Sequence, residues 1–229
     1  MCNPLDYLQQ NPIKHMDMIV PIKRGTARIL YAGADGVLLQ DTKSDAYMMS
    51  VTTHELGRKL LENLPKNGLF VCHQEFMLDD LKALSPNAEV LENYQVVYQG
   101  NPLPRSANLD FKPLNMADLA LVTTNYTMDL GEEYISGRIA DRELFGGYVN
   151  GEIIGFVGIH AEGSIGMLQV FDSKQGKGYG TALYACIINH QLSLGVVPFG
   201  QISVSNAQSM AIARKLGFEI GREKVWWLS

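Results

Sequence analysis

The segment Gln175-Gly176-Lys177-Gly178-Tyr179-Gly180-Thr181 alternates glycine with other residues and runs straight into an apolar, helix-forming stretch. Three glycines between positions 176 and 180 let the backbone approach something bulky, because no Cβ atoms stand in the way. The helix that follows begins with unpaired N–H groups and the positive end of its dipole. Loop and helix start together predict an anion site suited to phosphate or pyrophosphate.

Spacing removes two common nucleotide sites. A Rossmann fingerprint reads G-x-G-x-x-G, whereas Gly176, Gly178 and Gly180 read G-x-G-x-G, with Thr181 in the last position. A P-loop needs Gly-Lys followed by Ser or Thr, and here Gly178 follows Lys177. What remains is a strand at Met167–Phe171, the loop at Asp172–Gly178, a helix at Tyr179–Leu194, a strand at Phe199–Ser205 and a helix at Asn206–Leu216.

The run L-Q-V-F-D-S-K-Q-G-K-G-Y-G-T-A-L resembles the acyl-CoA-binding signature of the GNAT superfamily, Q/R-x-x-G-x-G/A. Gln175, Gly178 and Gly180 occupy its defined positions. Downstream, N-A-Q-S-M-A-I-A-R-K-L-G-F from Asn206 is similar to the superfamily's N-x-x-A-x-x-x-Y-x-K-x-G-F. The stretch from Gly195 to Asn206, G-x-V-P-F-G-Q-I-S-V-S-N, looks like the glycine N-acyltransferase-like branch. The resemblance covers Phe111 to Ser229. It implies an α/β (α+β) fold whose central mixed, largely antiparallel sheet is flanked by helices.

The resemblance also implies acyl transfer from acyl-CoA, acetyl-CoA first, to a primary amine of a small molecule or amino acid. Leu168, Gln169 and Val170 would offer backbone groups to the pantetheine and thioester. Gln175, Gly176, Lys177, Gly178, Tyr179, Gly180 and Thr181 would hold the pyrophosphate, and Asn206 would touch the pantetheine. Asn206 reads equally well as a helix N-cap alone. The superfamily's acidic tyrosine is replaced by Ala213, and its glutamate on the strand before the loop by Met167. Glu162 and His160 are the nearest titratable candidates for a base working through water. A solvated hairpin position for Glu162 and a structural strand role for His160 are the competing readings. Asp129, in the connection Tyr126–Leu130 expected to vary with substrate, could attract an amine or simply start a helix. Of Trp226 and Trp227, one ring is expected in the core.

The 229 residues suit one large domain or two small ones, with 46% hydrophobic and 19% charged residues supporting a real core. A net charge of −5 argues against a nucleic-acid partner. No apolar run reaches the roughly 18 residues of a membrane span. Asp6, Lys14, Asp17 and two prolines in the first twenty residues are unlike a signal peptide. A cytoplasmic protein is expected. Cys2, Cys72 and Cys186 lack metal or disulfide spacing, and Cys186 reads as a core thiol on the helix face of Tyr179, Leu183 and Ile187. His54-Glu55-Leu56-Gly57-Arg58 ends in arginine where a zincin needs histidine, so no metal site is expected.

Gly100–Arg105 reads as a linker, dividing the chain into residues 1–104 and 105–229. In the second part, Asn150-Gly151 marks a hairpin turn between Leu144–Val149 and Glu152–His160. The first part predicts helices at Asn3–Gln10 and Lys14–Lys23, then strands at Ala27–Ala32, Gly36–Gln40 and Ala46–Val51. A helix at Thr53–Leu64, a strand at Gly68–Cys72, a helix at Glu75–Leu84 and a strand at Glu89–Tyr98 follow. This order mirrors the second part, except that no glycine loop lies between Val51 and His54. A degenerate copy of the same fold, without a CoA loop, is therefore expected at the N-terminus, with an unrelated α/β domain as the alternative. Two rival functions stay open: a CoA-binding regulatory or scaffold protein without turnover, and a site for another nucleotide. A homodimer is one option for assembly.

Overall fold

Caps and turns set most element boundaries in the computed structural model, which describes residues 2–104, 106, 108–128 and 130–229. Asn3 accepts from the Leu5 amide and opens α1 (Pro4–Leu8). Helix α2 (Met16–Arg24) ends at Gly25, whose φ of 73° is left-handed. Three strands follow: β1 (Ala27–Gly33), β2 (Gly36–Asp41) and β3 (Tyr47–Val51). Thr53 then caps α3 (His54–Leu61) through the Leu56 amide. Next come β4 (Phe70–Cys72), a 3-10 turn leading into α4 (Leu78–Leu84), and β5 (Val90–Val97).

The later elements begin with β6 (Asp110–Pro113) and a 3-10 turn, closed by an Asn115–Asp118 capping box, that leads into α5 (Leu119–Asn125). Helix α6 (Glu132–Ala140) precedes β7 (Leu144–Val149) and β8 (Glu152–Ile159), joined by the expected turn with Asn150 at φ 52° and Gly151 at φ 80°. The chain continues through β9 (Ile165–Val170), α7 (Tyr179–Ser193), β10 (Phe199–Ser203), α8 (Ala207–Leu216) and β11 (Glu219–Leu228). The elements read from the sequence lie within a few residues of their expected positions.

The chain divides into two units. The first, comprising Met1–Val97, Phe199–Met210 and Glu219–Ser229, holds a seven-stranded sheet in the order β1-β2-β3-β4-β11-β5-β10. Only β3 and β4 run parallel in it. The sequence leaves the partners of β10 and β11 undetermined, and the structure inserts both into this sheet. β11 lies between β4 and β5, and β10 on the far side of β5. One core cluster packs Met49, Phe70, Cys72, Trp226 and Leu228 against Leu61, Met77 and Leu81. The second unit, Tyr98–Pro198 with Ala211–Phe218, holds an antiparallel sheet in the order β6-β7-β8-β9. There Leu114, Val122, Ile135, Ile139, Leu144, Phe156 and Met167 form the core under α5 and α6.

A buried polar network ties α2 to β3 and β4 in the first unit. His15 Nδ1 donates to the Leu8 carbonyl at 3.1 Å, so its Nε2 accepts from the Ser50 hydroxyl at 2.9 Å. Gln74 Nε2 donates to the same Ser50 oxygen at 2.9 Å. His73 meets the Met49 carbonyl through Nδ1 and Asp17 Oδ1 through Nε2, both at 2.9 Å. Each atom facing His73 is an oxygen, so the pair with Asp17 holds a proton between Nε2 and Oδ1. Asp17 and the His73 side chain are fully buried. Asp17→Ala leaves that ring without its partner and is expected to cost about 3–5 kcal/mol, read as a lower urea midpoint at unchanged m.

Burial, with the neighbouring His73 adding to it, pushes His15 down from 6.5 to about 3. The folded state thus refuses a proton that the unfolded chain accepts. Its stability is complete above the unfolded value of 6.5 and drains away as pH falls toward 3, by up to about 1.4 kcal/mol per unit. Urea midpoints at pH 7 and pH 5 should diverge less in His15→Gln than in the unmutated protein; equal divergence would refute the assignment.

Candidate functional site

Strand β9 ends its sheet: it pairs with β8, and among the described residues no strand pairs with its outer edge. It is also bulged. Phe156 faces Gln169 and Gly158 faces Gly166, so Met167 and Leu168 stand opposite Val157 alone. Met167 takes φ 53°, a left-handed conformation that costs a residue with a Cβ roughly 1–2 kcal/mol. Burial of its side chain, 2% exposed, offsets this by about 1.5–3 kcal/mol. Glycines on β8 make the bulge fit: a Cβ on Gly155 would lie 2.3 Å from the Gln169 carbonyl oxygen. Burial raises the Tyr126 hydroxyl to about 12, against an opposing hydrogen bond from the Met167 backbone. Leu168, Gln169 and Val170 lie half-buried along this edge.

The strand leads into a 3-10 turn at Asp172–Lys174 and then the glycine loop. Exposed Gln175 braces the loop, its Nε2 donating to Asp172 Oδ1 at 2.9 Å and the Val170 carbonyl at 3.3 Å. Gly176 and Gly178 take φ 76° and 81°, and nothing lies within 4 Å of the Cβ position of either. Gly178 is the N-cap of α7, where no side chain caps the helix and its first turn holds no acidic residue. Tyr179, Gly180 and Thr181 form that turn, half-buried, with Lys177 exposed beside them. The 15-residue α7 therefore presents its dipole's positive end at an open loop. Gly180 is tight for another reason: a Cβ there would meet Ile212 at 3.4 Å and Val170 at 3.6 Å. Along α7, Leu183 and Ile187 are buried as expected, whereas Cys186 is only half-buried.

Asn206 belongs to the first unit. Its Oδ1 accepts from the Ser209 amide at 2.9 Å, so it caps α8. Ala213 is wholly buried in that helix. Trp226 sits in the core cluster of the first unit, and Trp227 is half-buried. Asp129 lies outside the described residues. Among those described, no group of three His, Cys, Asp or Glu side chains could hold a metal.

The β8–β9 connection overturns one expectation. A solvated hairpin was the competing reading for Glu162, yet its residue is 5% exposed and its carboxylate accepts from the Ser164 hydroxyl. The turn folds inward because Gln191 on α7 donates to the Gly163 carbonyl at 3.0 Å, while His160 N–H reaches the Ser164 carbonyl at 2.8 Å. His160 is half-buried, with Nδ1 2.8 Å from the Tyr134 hydroxyl. Burial lowers its basicity, Glu162 opposes that shift and Arg138 reinforces it. Tyr134, on α6, escaped the sequence reading because nothing in a helical pattern says which strand end its hydroxyl meets. The bulge did leave a trace: glycines at 155, 158 and 166 inside strand patterns mark bulges and close approaches.

A cavity of about 710 Å³ lies elsewhere, in the first unit, lined by Lys14, His73, Gln74, Phe76, Arg222 and Trp226 among others. Its Lys14 is paired with Glu223, and the glycine loop belongs to the second unit. Because the bulge rests on β8, Gly155→Ala must push the β9 backbone aside. It is expected to lower stability by about 1–3 kcal/mol in urea unfolding and to weaken any ligand held by the β9 edge. Unchanged unfolding would show that the bulge does not need the glycine.

Residues 149–227, from the β7–β8 turn into β11, match the FR47-like protein family model. Comparison with curated protein sequences finds no match. Among solved structures, a protein of the GNAT family from Novosphingobium aromaticivorans is 14% identical with a TM-score of 0.61, covering 99% of this chain and 98% of that one. A GCN5-related N-acetyltransferase-like protein from Streptococcus suis is 14% identical with a TM-score of 0.58, covering 99% and 100%. A tandem GNAT protein from the clavulanic acid biosynthesis pathway is 13% identical with a TM-score of 0.50, covering 93% and 86%. The chain thus has the mixed α/β fold of the GNAT acetyltransferases, and its part carrying the glycine loop is similar to the FR47-like family.

Proposed function

We propose that the protein is an acyl-CoA-dependent N-acyltransferase that moves an acyl group, acetyl first, onto a primary amine of a small molecule or amino acid. The observation that carries this is the uncapped start of α7 behind the Gly176–Gly178 loop, directly after the bulged edge of β9. Loop amides, the helix dipole and Lys177 suit a pyrophosphate. The unpaired edge at Leu168, Gln169 and Val170 suits a pantetheine arm added as a strand, with one amide polarising the thioester oxygen. Asn206 caps α8 through its side-chain oxygen. The amine then attacks the thioester carbon; the C–N bond forms as the C–S bond breaks, and the ammonium proton leaves through water. Glu162 and His160 are the candidate groups beside that path. Ala213 provides no acid, so the departing thiolate draws its proton from solvent.

Several finer readings rest on this one. The Gly195–Asn206 run favours the glycine N-acyltransferase-like branch, and composition favours a cytoplasmic protein. A homodimer is the assembly to test first. The N-terminal part is proposed as a degenerate copy of the fold, the chain dividing at 104/105. β3, the counterpart of β9, is paired on both sides, by β2 and β4, which leaves no edge for a pantetheine. Thr53 caps α3 where a glycine loop would open it. The missing acid at Ala213 favours a second reading, a CoA-binding regulator without turnover.

A thermal-shift series with acetyl-CoA, longer acyl-CoAs, ATP and NAD tests the donor; ligand at 100 times its dissociation constant stabilises the fold by about 2.7 kcal/mol. Gly178→Asp places a carboxylate at the pyrophosphate and should abolish the CoA shift while the protein still folds. A full shift in that variant would remove the loop from the site. CoA binding with no thiol release for any amine would select the regulator.

A further inference from the structure

The cavity of the first unit has polar lining groups that the protein has already bonded. Every residue lining it belongs to that unit. At about 710 Å³ it falls within the roughly 300–1,000 Å³ of small-molecule sites. His73 spends both ring nitrogens, on the Met49 carbonyl and on Asp17. Gln74 accepts from the Val51 amide with Oε1 and donates to the Ser50 hydroxyl with Nε2, each at 2.9 Å. A neutral polar ligand therefore finds no free partner at either residue.

The rest of the lining is aromatic or charged. Trp226 contributes from the core cluster, and Phe76 stays 46% exposed with the His54 ring edge-on to it at 6.1 Å and 88°. Lys224 bonds Glu92 at 2.7 Å, which raises its pKa, and Glu75 adds to that rise, so its charge is met by two carboxylates. Lys14, with its side chain 16% exposed, is held at 2.5 Å by Glu223, whose side chain is 52% exposed. Arg222 is exposed and has no ion-pair partner among the described residues. It is the cation of this cavity that no carboxylate satisfies, and a guanidinium fork matches a carboxylate in two parallel bonds. Lys14 is available beside it, because an ion pair with one partner in water is weak and Glu223 is free to turn outward.

We propose that this cavity is a second ligand site, separate from the glycine loop, for a small aromatic carboxylate. The ring lies against Phe76 and Trp226, while the carboxylate meets Arg222 and draws Lys14 from Glu223. Neither the glycine loop nor acyl transfer enters this assignment, so it stands or falls apart from the transferase reading.

Calorimetric titration of the full chain with hydrocinnamate, its amide and the corresponding phenylpropylamine tests it. Only hydrocinnamate should bind, one molecule per chain, and it should shift the Trp226 indole signal in ¹H–¹⁵N spectra, assigned by elimination in Trp227→Phe. Phenylalanine, which adds an ammonium to the same skeleton, should bind no more tightly. Arg222→Ala should weaken hydrocinnamate by about ten-fold or more, the worth of one hydrogen bond between charged groups. Glu223→Gln should tighten it by up to about five-fold, because the weak pair with Lys14 no longer competes. Gly178→Asp, in the other unit, should leave it unchanged. No binding of hydrocinnamate, equal binding of the amide or the amine, or tighter binding of phenylalanine overturns the ligand class. Full affinity in Arg222→Ala, or weaker binding in Glu223→Gln, overturns the site, and loss of binding in Gly178→Asp would move the anion to the glycine loop instead.

Discussion

Main-chain hydrogen bonding along β9 is the constraint around which the second unit is arranged. A strand that ends a sheet leaves amides and carbonyls without protein partners, a feature that folded proteins usually cover or interrupt. Here the edge is interrupted by a bulge and followed by a helix whose own first amides are uncapped. Among the described residues, a strand edge without a strand partner and a helix start without a side-chain cap therefore follow one another within fifteen residues of chain, from Ile165 to Tyr179. Neither strand pairing nor a side-chain cap accounts for them, and a ligand that is extended at one end and anionic at the other would satisfy both. Gly155, Gly176 and Gly178 fit this arrangement: the first lets the bulged β9 backbone approach, the other two open the helix start.

The first unit resolves the same problem by closing it. β3 is flanked by β2 and β4, and Thr53 caps the helix that follows. Its polar chemistry is turned inward: His15 bonds Ser50, and His73 bonds Asp17. A network of that kind ties the elements to one arrangement, at the cost of sensitivity to acid. A closed strand with a capped helix in the first unit thus contrasts with an open strand and a helix without a side-chain cap in the second.

Much of this was legible beforehand. Alternating and helical periodicities, with Asn150-Gly151 and Thr53 as punctuation, located most of the elements of the first part and the β7–β8 hairpin, because caps and turns are local physics. Tyr134 and the burial of Glu162 were not legible. Which hydroxyl meets His160, and whether the 160–164 turn faces water or Gln191, depend on residues brought together from 26 to 28 positions apart. The bulge at Met167 was half-legible: the glycines announced it, but no propensity assigns a left-handed φ to a methionine.

The partners of β10 and β11 are the clearest division of labour. The strand read at Phe199–Ser205 was legible in the amino-acid sequence unaided, as were the glycine loop and the Asn206 cap, since each depends on neighbours a few residues away. Only the tertiary structure decided that β11 enters between β4 and β5, and that β9 keeps an open edge while β3 does not. Strand pairing is a choice among many chemically similar edges, made by packing across the whole sheet, and a local pattern cannot encode which edge wins.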